Sequence, residues 1–240
     1  MFKFIDISSY QGNIDISVLP IDGVIIKATE GNSYVNPWCE PKVQSARLNN
    51  LAWGFYHYAS ANDPIAEADY FIQHCEGYFG EGIPVLDWEE NQSVDWVNAF
   101  VNRVHEVTGV WGWIYGNPWR FNQGRVNDNC GIWAAAYPNL PHPTFEEVES
   151  YDPPQTKGNV IAWQFCSDGR LDGYDADLDC SLFYGTREQW ERYAQGDNKP
   201  ANNDAADSNT DTNNSATTNG NISAVEVVEN DSLKVTIERK

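Results

Sequence analysis

The amino-acid sequence predicts an α/β fold, an irregular (β/α)8-like barrel over residues 1–196. Two observations predict it: eight short stretches rich in β-branched and aromatic residues, and helical stretches between several of them. Most of the eight stretches are too apolar for half-exposed strands and are typical of buried parallel strands. The predicted strands cover residues 3–7, 24–28, 53–58, 84–88, 111–115, 131–135, 160–165 and about 178–182.

Four helices are predicted, over residues 40–50, 64–78, 93–107 and 186–194. The third is the clearest, because Val97, Val101 and Val104 fall on one helical face and Gly109 follows its end. The intervals after the fifth to seventh strands are too short or too rich in proline for full helices. We therefore expect a barrel that is irregular in its second half.

The composition changes sharply after Gly196. Residues 197–221 contain almost no large apolar side chain, which predicts a flexible polar linker. Residues 222–240 then alternate apolar and polar side chains around a turn, which predicts a small β-hairpin. Because a lone hairpin is marginally stable in water, we expect this one to self-associate, to bind cell wall or to dock on the main domain.

Charge and cysteine content exclude several classes of protein. The formal net charge of −20 repels phosphate backbones, so we expect no nucleic-acid partner. The five cysteines are odd in number and widely spaced, which predicts buried free thiols rather than a disulfide scaffold. Neither a metal-ligand spacing nor a glycine-rich phosphate cradle occurs, so no metal and no cofactor are expected.

Carboxylates, amides and aromatic rings collect at the ends of the predicted strands. In (β/α)8 barrels the active site lies at the C-terminal ends of the strands. These side chain types can hold a sugar and break a glycosidic bond. The candidates are Asp6, Lys27, Glu30, Tyr56, Tyr58, Asp87, Glu89, Trp133, Tyr137, Gln164 and Asp177.

The most specific single feature is Asp87-Trp88-Glu89 after an apolar strand. Residues two apart on a strand point to the same face, so the two carboxyl groups are neighbours. Repulsion and partial burial are expected to raise the pKa of one of them, and a carboxylic acid that stays protonated can serve as general acid. Taken alone, a solvated acidic turn explains Asp87 and Glu89 equally well.

Other noticeable residues have structural explanations. His57 lies inside an aromatic run and is predicted to be a hydrogen-bonded core imidazole rather than a base. Four aromatic residues are predicted to pack rather than to serve as platforms for a ligand: Tyr10, Trp38, Trp119 and Trp190.

Taken together, the motifs resemble those of the family 25 glycoside hydrolases, the Chalaropsis-type muramidases. The resemblance covers about residues 1–195. Its opening motifs are Asp6 to Gly12 and Lys27 to Gly31, with Tyr34 and Asn36. The later ones are Gly54 to Tyr58, Pro84 to Glu89, Trp133 to Tyr137, Trp163-Gln164-Phe165 and Ala176 to Asp179, in that family's order.

The resemblance implies a flattened barrel that hydrolyses the β-1,4 bond after N-acetylmuramic acid in peptidoglycan. It implies that Glu89 is the acid/base and that three aspartates line the same site, namely Asp87, Asp6 and Asp177. The side chains implied to shape the sugar pocket are Gln11, Glu30, Tyr56, Trp133, Tyr137 and Gln164. Asp179 departs from the family, which usually has Asn there, and it leaves the local role of Asp177 open.

The organisation of the chain is similar to that of a phage endolysin, with a linker and a small C-terminal module. The first residues have no apolar signal region, so we expect synthesis in the host cytoplasm, no membrane insertion and action on the wall after release. Two alternatives stay open. A chitinase-like hydrolase would have a longer aspartate series on the fourth strand, and a non-catalytic glycan-binding protein would not need Asp6, Asp87 and Glu89.

Overall fold

A computed structural model describes residues 1–196. The predicted linker at 197–221 and hairpin at 222–240 lie outside these residues and stay predictions. In the described part nine strands form one sheet, and eight of them close into a barrel through the pairing of β1 with β2. The strands are β1 Phe2–Ile7, β2 Gly23–Glu30, β3 Tyr34–Val35, β4 Ala52–Tyr58, β5 Ile83–Asp87, β6 Trp113–Gly116, β7 Gly131–Ala135, β8 Val160–Leu171 and β9 Tyr174–Phe183. The predicted irregular α/β barrel is confirmed.

The first seven strands of the barrel wall, β1, β2 and β4 to β8, run parallel. Their carboxyl ends therefore share one rim. The register places Tyr58 opposite Asp87 and Asp87 opposite Tyr115 on neighbouring strands. Chemically useful side chains are thus brought side by side by strand pairing alone.

The last strand departs from the parallel arrangement of the others. β8 and β9 are longer than predicted and form an antiparallel hairpin, with Gly173 at the turn in the left-handed region at φ +100°. A parallel connection needs a crossover of a dozen or more residues, and only two residues separate these strands. The short strand β3, which the sequence pattern does not predict, pairs antiparallel with the end of β2.

The helices are α1 Cys39–Leu48, α2 Pro64–Cys75, α3 Val94–Thr108, α4 Pro118–Phe121, α5 Phe145–Val148 and α6 Arg187–Gln195. The prediction that full helices are missing after the fifth to seventh strands is confirmed, because α4 and α5 have four residues each and β8 turns directly into β9. Helix α3 begins after a capping Ser93 and ends at Gly109 in the left-handed conformation.

The barrel interior is filled by aromatic rings at the end where the parallel strands begin. Trp190 of α6 stacks on Phe2 with ring centroids 5.0 Å apart and meets Trp113 edge-on at the same distance. Its indole nitrogen donates a hydrogen bond to the carbonyl of Trp53. Helix α6 therefore fills the barrel interior at this end, which leaves the opposite end as the place to look for a ligand pocket in the barrel.

All five cysteines are buried free thiols, as predicted. None of the helices within residues 1–196 combines the length and the apolar character needed to cross a bilayer.

Candidate active site

A pocket of about 280 Å³ opens at the rim where the parallel strands end. Its lining combines carboxyl groups, hydroxyl groups and aromatic rings. The lining residues are Asp6, Ser8, Tyr10, Lys27, Tyr56, Tyr58, Asp87, Glu89, Tyr115, Trp133, Tyr137, Gln164 and Asp179. Asp6, Asp87 and Glu89 are therefore brought together, as are the predicted pocket residues Tyr56, Trp133, Tyr137 and Gln164.

Four carboxyl groups share this pocket, and they come from three strands. Asp87 is the last residue of β5, and Glu89 follows two residues later in the connecting loop. Asp6 and Asp179 are directly paired in the register of β1 and β9. Asp87 is buried, while Glu89 is exposed to solvent and accessible from the pocket.

The crowding of these groups changes their acidity. Burial, followed by the charge of Asp179, raises the pKa of Asp6 well above its ordinary value. Burial, followed by the charge of Glu89, raises the pKa of Asp87 as well. The same two causes raise the pKa of Asp179 to about 6. A site with such values retains protons closer to neutral pH than isolated aspartates do.

A hydrogen-bonded network fixes the side of the pocket that faces Asp6. The amide nitrogen of Gln164 donates to Asp6 Oδ2 over 2.9 Å. The amide oxygen of Gln164 accepts from the hydroxyl groups of Tyr115 and Tyr137, at 2.8 and 2.6 Å. In this orientation the amide oxygen accepts from two hydroxyl groups while the amide nitrogen donates to a carboxyl group, so both ends of the amide have partners. Tyr137 is expected to shape the pocket through this contact.

The loop that carries Glu89 is held from outside the pocket by Arg120. Its guanidinium donates hydrogen bonds to the carbonyl oxygens of Glu89 and Glu90 and lies 5.7 Å from the ring of Trp88. Helix α4 presents Arg120 because Asn117 caps the helix start by accepting from the Arg120 backbone N–H. Arg120 therefore positions the Glu89 backbone without lining the pocket of about 280 Å³ itself.

Two predicted pocket residues lie behind the lining. The side-chain oxygen of Gln11 accepts from the backbone N–H of Ser8 at 3.0 Å and so shapes the loop after β1. Glu30 forms an ion pair with Lys27 at 2.6 Å, and the Lys27 ammonium lies 4.7 Å from the ring of Tyr58. Gln11 and Glu30 thus position Ser8 and Lys27, which do line the pocket.

The expectation that Asp177 lines the site is corrected by the structure. Asp177 is exposed and forms an ion pair with Arg170 at 2.7 Å. The reason is the antiparallel hairpin: the pairing of β9 with β1 ends at Asp179, and Asp177 lies on the part of β9 that continues past β1. Asp179 takes the place in the pocket that Asp177 is expected to occupy.

Several lining residues of the pocket are not predicted from the sequence. Tyr10 is predicted to pack, but it is 94% exposed and borders the pocket. Its position follows from the loop after β1, which no strand or helix pattern predicts. Ser8 is missed for the same reason. Tyr115 ends a predicted strand beside Asp87, and this strand-end position is a signal that could identify it as a pocket residue.

We expect the Asp179→Asn variant to be more stable than the parent protein near neutral pH. A carboxyl group whose pKa is higher in the folded than in the unfolded chain stabilises the fold only while it is protonated. This stability is lost as the pH rises from about 4 through about 6. The substitution should raise the free energy of unfolding at about pH 7 by on the order of 1–3 kcal/mol, and by little near pH 3.

Denaturant unfolding at both pH values measures this difference. Asp177→Asn is the matched control, because its exposed ion pair with Arg170 is expected to contribute less than about 1 kcal/mol. An equal change at both pH values for Asp179→Asn would contradict the assignment of the raised pKa to this residue.

A carboxyl-rich pocket with aromatic walls at the carboxyl rim of a barrel defines a class, the hydrolases that cleave glycosidic bonds. The chain belongs to glycosyl hydrolases family 25, because the sequence model of that family matches residues 5–174.

The chain is similar to several characterised relatives. It is 36% identical over 165 residues to an N,O-diacetylmuramidase of Chalaropsis sp. The matched region covers 57% of this chain and 78% of that protein. It is 28% identical over 191 residues to an autolytic lysozyme of Clostridium acetobutylicum, covering 75% of this chain and 55% of that protein. The fold is also similar to the crystal structure of a bacterial lysozyme from Streptomyces coelicolor, with a TM-score of 0.68 and 25% sequence identity. The superposed region covers 81% of this chain and 97% of the lysozyme chain.

Proposed function

We propose that this protein hydrolyses the β-1,4 bond between N-acetylmuramic acid and N-acetylglucosamine in bacterial peptidoglycan and so lyses the cell wall. The observation that carries the proposal is the convergence of Asp6, Asp87 and Glu89 in one aromatic-walled pocket of a family 25 chain. The names of the relatives, muramidase and lysozyme, support this choice of substrate.

In this proposal Glu89 is the general acid that protonates the departing glycosidic oxygen. Among the residues that carry the four carboxyl groups of the pocket, Glu89 is the one exposed to solvent, and Arg120 holds the Glu89 backbone in place. Donation of a proton in the transition state requires a side chain within hydrogen-bonding reach of the leaving oxygen, which an exposed position at the pocket edge allows.

The role proposed for Asp87 is to orient the 2-acetamido group of the substrate, which then attacks the anomeric carbon to give an oxazolinium intermediate. Asp87 and Glu89 line the same pocket, and attack by the substrate's own acetamido group is a known exception to the scheme in which a second carboxylate is the nucleophile. Asp87 Oδ1 is buried and has no hydrogen-bond partner among the described residues, so it is available to the acetamido N–H. Asp6 then holds the sugar ring or a water molecule.

We expect the first-formed product to be the β-anomer, which means net retention of configuration. The substrate's own acetamido group shields one face of the anomeric carbon, so water enters from the other face after a first inversion. Proton NMR of the fresh product, recorded before mutarotation, measures the outcome. If the α-anomer forms first, the oxazolinium route is excluded and Asp6 becomes a candidate base for a water molecule. A glycosyl ester trapped on Asp87 would instead establish a covalent route.

A turbidity assay tests the proposed function against a non-catalytic role in glycan binding. The hydrolase is expected to clear a suspension of Gram-positive cell walls, whereas a binding protein would leave the suspension turbid. An endolysin role, and wall binding or self-association through residues 222–240, stay predictions.

A further inference from the structure

Two further cavities lie next to the active-site pocket, and both include residues of α4 or its cap in their lining. The first, of about 380 Å³, shares Glu89, Tyr115 and Tyr137 with the active-site pocket. The second, of about 530 Å³, shares Trp88 and Arg120 with the first. The three cavities therefore adjoin one another in series from the active-site pocket, and we call the second cavity the outer cavity.

The outer cavity has an exposed aromatic side chain on its wall. Trp119, the second residue of α4, is 66% exposed. It therefore does not pack in the core, contrary to the expectation from the sequence. An exposed indole at the wall of a cavity offers a flat apolar surface, which can stack on the apolar face of a sugar ring.

The floor of the outer cavity carries a buried amide that lacks partners. The side chain of Gln92 is 6% exposed, and neither its amide nitrogen nor its amide oxygen has a hydrogen-bond partner within residues 1–196. The backbone carbonyl of Gln92 is used, because it accepts from the indole nitrogen of Trp88 at 3.0 Å. A buried amide without partners is unfavourable, and such groups in proteins are nearly always satisfied by a ligand, water or protein.

The two features together define the chemistry of an occupant. A primary amide presents an N–H donor beside an acceptor oxygen in one plane, with a second N–H on its other side, and the acetamido group of an N-acetylhexosamine offers a matching acceptor and donor. The indole of Trp119 would meet the sugar ring that carries this group. The outer cavity is bordered by Asp95 and by the two arginines Arg120 and Arg125. Because their guanidinium groups already bind backbone carbonyl oxygens and Asp128, respectively, a neutral amide-bearing sugar fits these features.

We propose that the outer cavity is a distal subsite that binds an N-acetylhexosamine residue of the same glycan strand that is cleaved in the active-site pocket. This proposal rests on the proposed function and adds a determinant of chain length. A glycan long enough to reach the outer cavity gains Trp119 and Gln92 as contacts, whereas a short glycan occupies the active-site pocket alone.

The test compares kcat/KM on glycan strands of increasing length, with and without their stem peptides, for the full chain and for the variants Trp119→Ala and Gln92→Leu. The parent protein should be faster on long than on short strands. Each variant should lose roughly five- to tenfold on long strands, the effect of about one good contact, and little on short ones. Leu48→Ala is the control, since Leu48 is 84% exposed on α1 and lines none of the three cavities.

Three results would overturn the subsite. They are an equal loss on short and long strands, no loss on long strands, and a loss that occurs only on strands that still carry their stem peptides. The last result would assign the outer cavity to peptide instead of glycan. Failure of the parent protein to cleave any strand would refute the proposed function itself, which is a distinct outcome from these three.

Discussion

We expect the Glu89→Gln variant to fold normally and to lose at least about 10²–10⁴-fold in kcat, the usual contribution of general acid–base catalysis. The amide has nearly the same shape as the carboxyl group but no proton to give to the departing oxygen. Because Glu89 is exposed at the pocket edge, the substitution leaves the barrel core untouched. Rates of wall clearing together with a circular dichroism spectrum separate lost chemistry from lost structure.

Glu90→Gln is the matched control for this prediction. Glu90 is the next residue, it is also exposed, and its carboxylate accepts a hydrogen bond from Tyr58 at 3.0 Å. Its backbone carbonyl is held by Arg120 in the same way as that of Glu89. We expect Glu90→Gln to change kcat by only a few-fold. A folded Glu89→Gln protein with near-parental activity would remove Glu89 from the mechanism.

The largest effect on stability is expected for Glu67→Ala. Glu67 is fully buried, and its carboxylate accepts from His57 Nε2 at 2.9 Å and from the backbone N–H groups of Ser60 and Asn62 at 3.0 and 2.7 Å. The second ring nitrogen of His57 lies 2.8 Å from the hydroxyl of Thr29. The substitution leaves the buried Nε2–H of His57 and the partly buried backbone N–H groups of Ser60 and Asn62 without their acceptor. Leaving the buried His57 donor unsatisfied costs about 1–3 kcal/mol, and the two backbone N–H groups add to this loss.

The charge state of this pair follows from its surroundings. Burial lowers the pKa of His57, and although burial alone would raise the pKa of Glu67, the hydrogen bonds from His57, Ser60 and Asn62 lower it overall. Glu67 is therefore ionised and His57 neutral near pH 7. Because a carboxylate only accepts, we assign the imidazole proton to Nε2.

Denaturant unfolding measures the loss, with Gln73→Ala as a control at an exposed position on the same helix, where the change should stay within about 0.5 kcal/mol. If Glu67→Ala does not fold, Glu67→Gln provides a milder variant that keeps one acceptor oxygen. A loss of less than about 1 kcal/mol for Glu67→Ala would show that the buried network does not hold the β4–α2 connection.

Most of the barrel can be predicted from sequence because the strand signal is local. A buried parallel strand is a continuous apolar run, and Asp6, Asp87 and Glu89 stand directly after such runs. His57 is predicted to be a core imidazole from its aromatic neighbours, and its buried hydrogen bonds confirm this. The four-residue helices α4 and α5 also agree with the short, proline-rich intervals.

The remainder depends on pairings between distant residues. Whether Asp177 or Asp179 enters the pocket is decided by where the pairing of β9 with β1 ends, and the local sequence contains no mark of that point. The exposure of Tyr10 and Trp119 is set by loops and a four-residue helix, for which periodicity gives no signal. The roles of Gln11 and Glu30 depend on neighbours that the fold brings to them.

Mass spectrometry of digested peptidoglycan tests the central claim most directly, because it identifies which sugar carries the new reducing end. After borohydride reduction, a muramidase leaves muramitol at the end of every released fragment. We predict muramitol ends with the parent protein and none above background with Glu89→Gln. Reduced glucosamine ends would show cleavage of the other glycosidic bond of the strand, and they would contradict the proposed function.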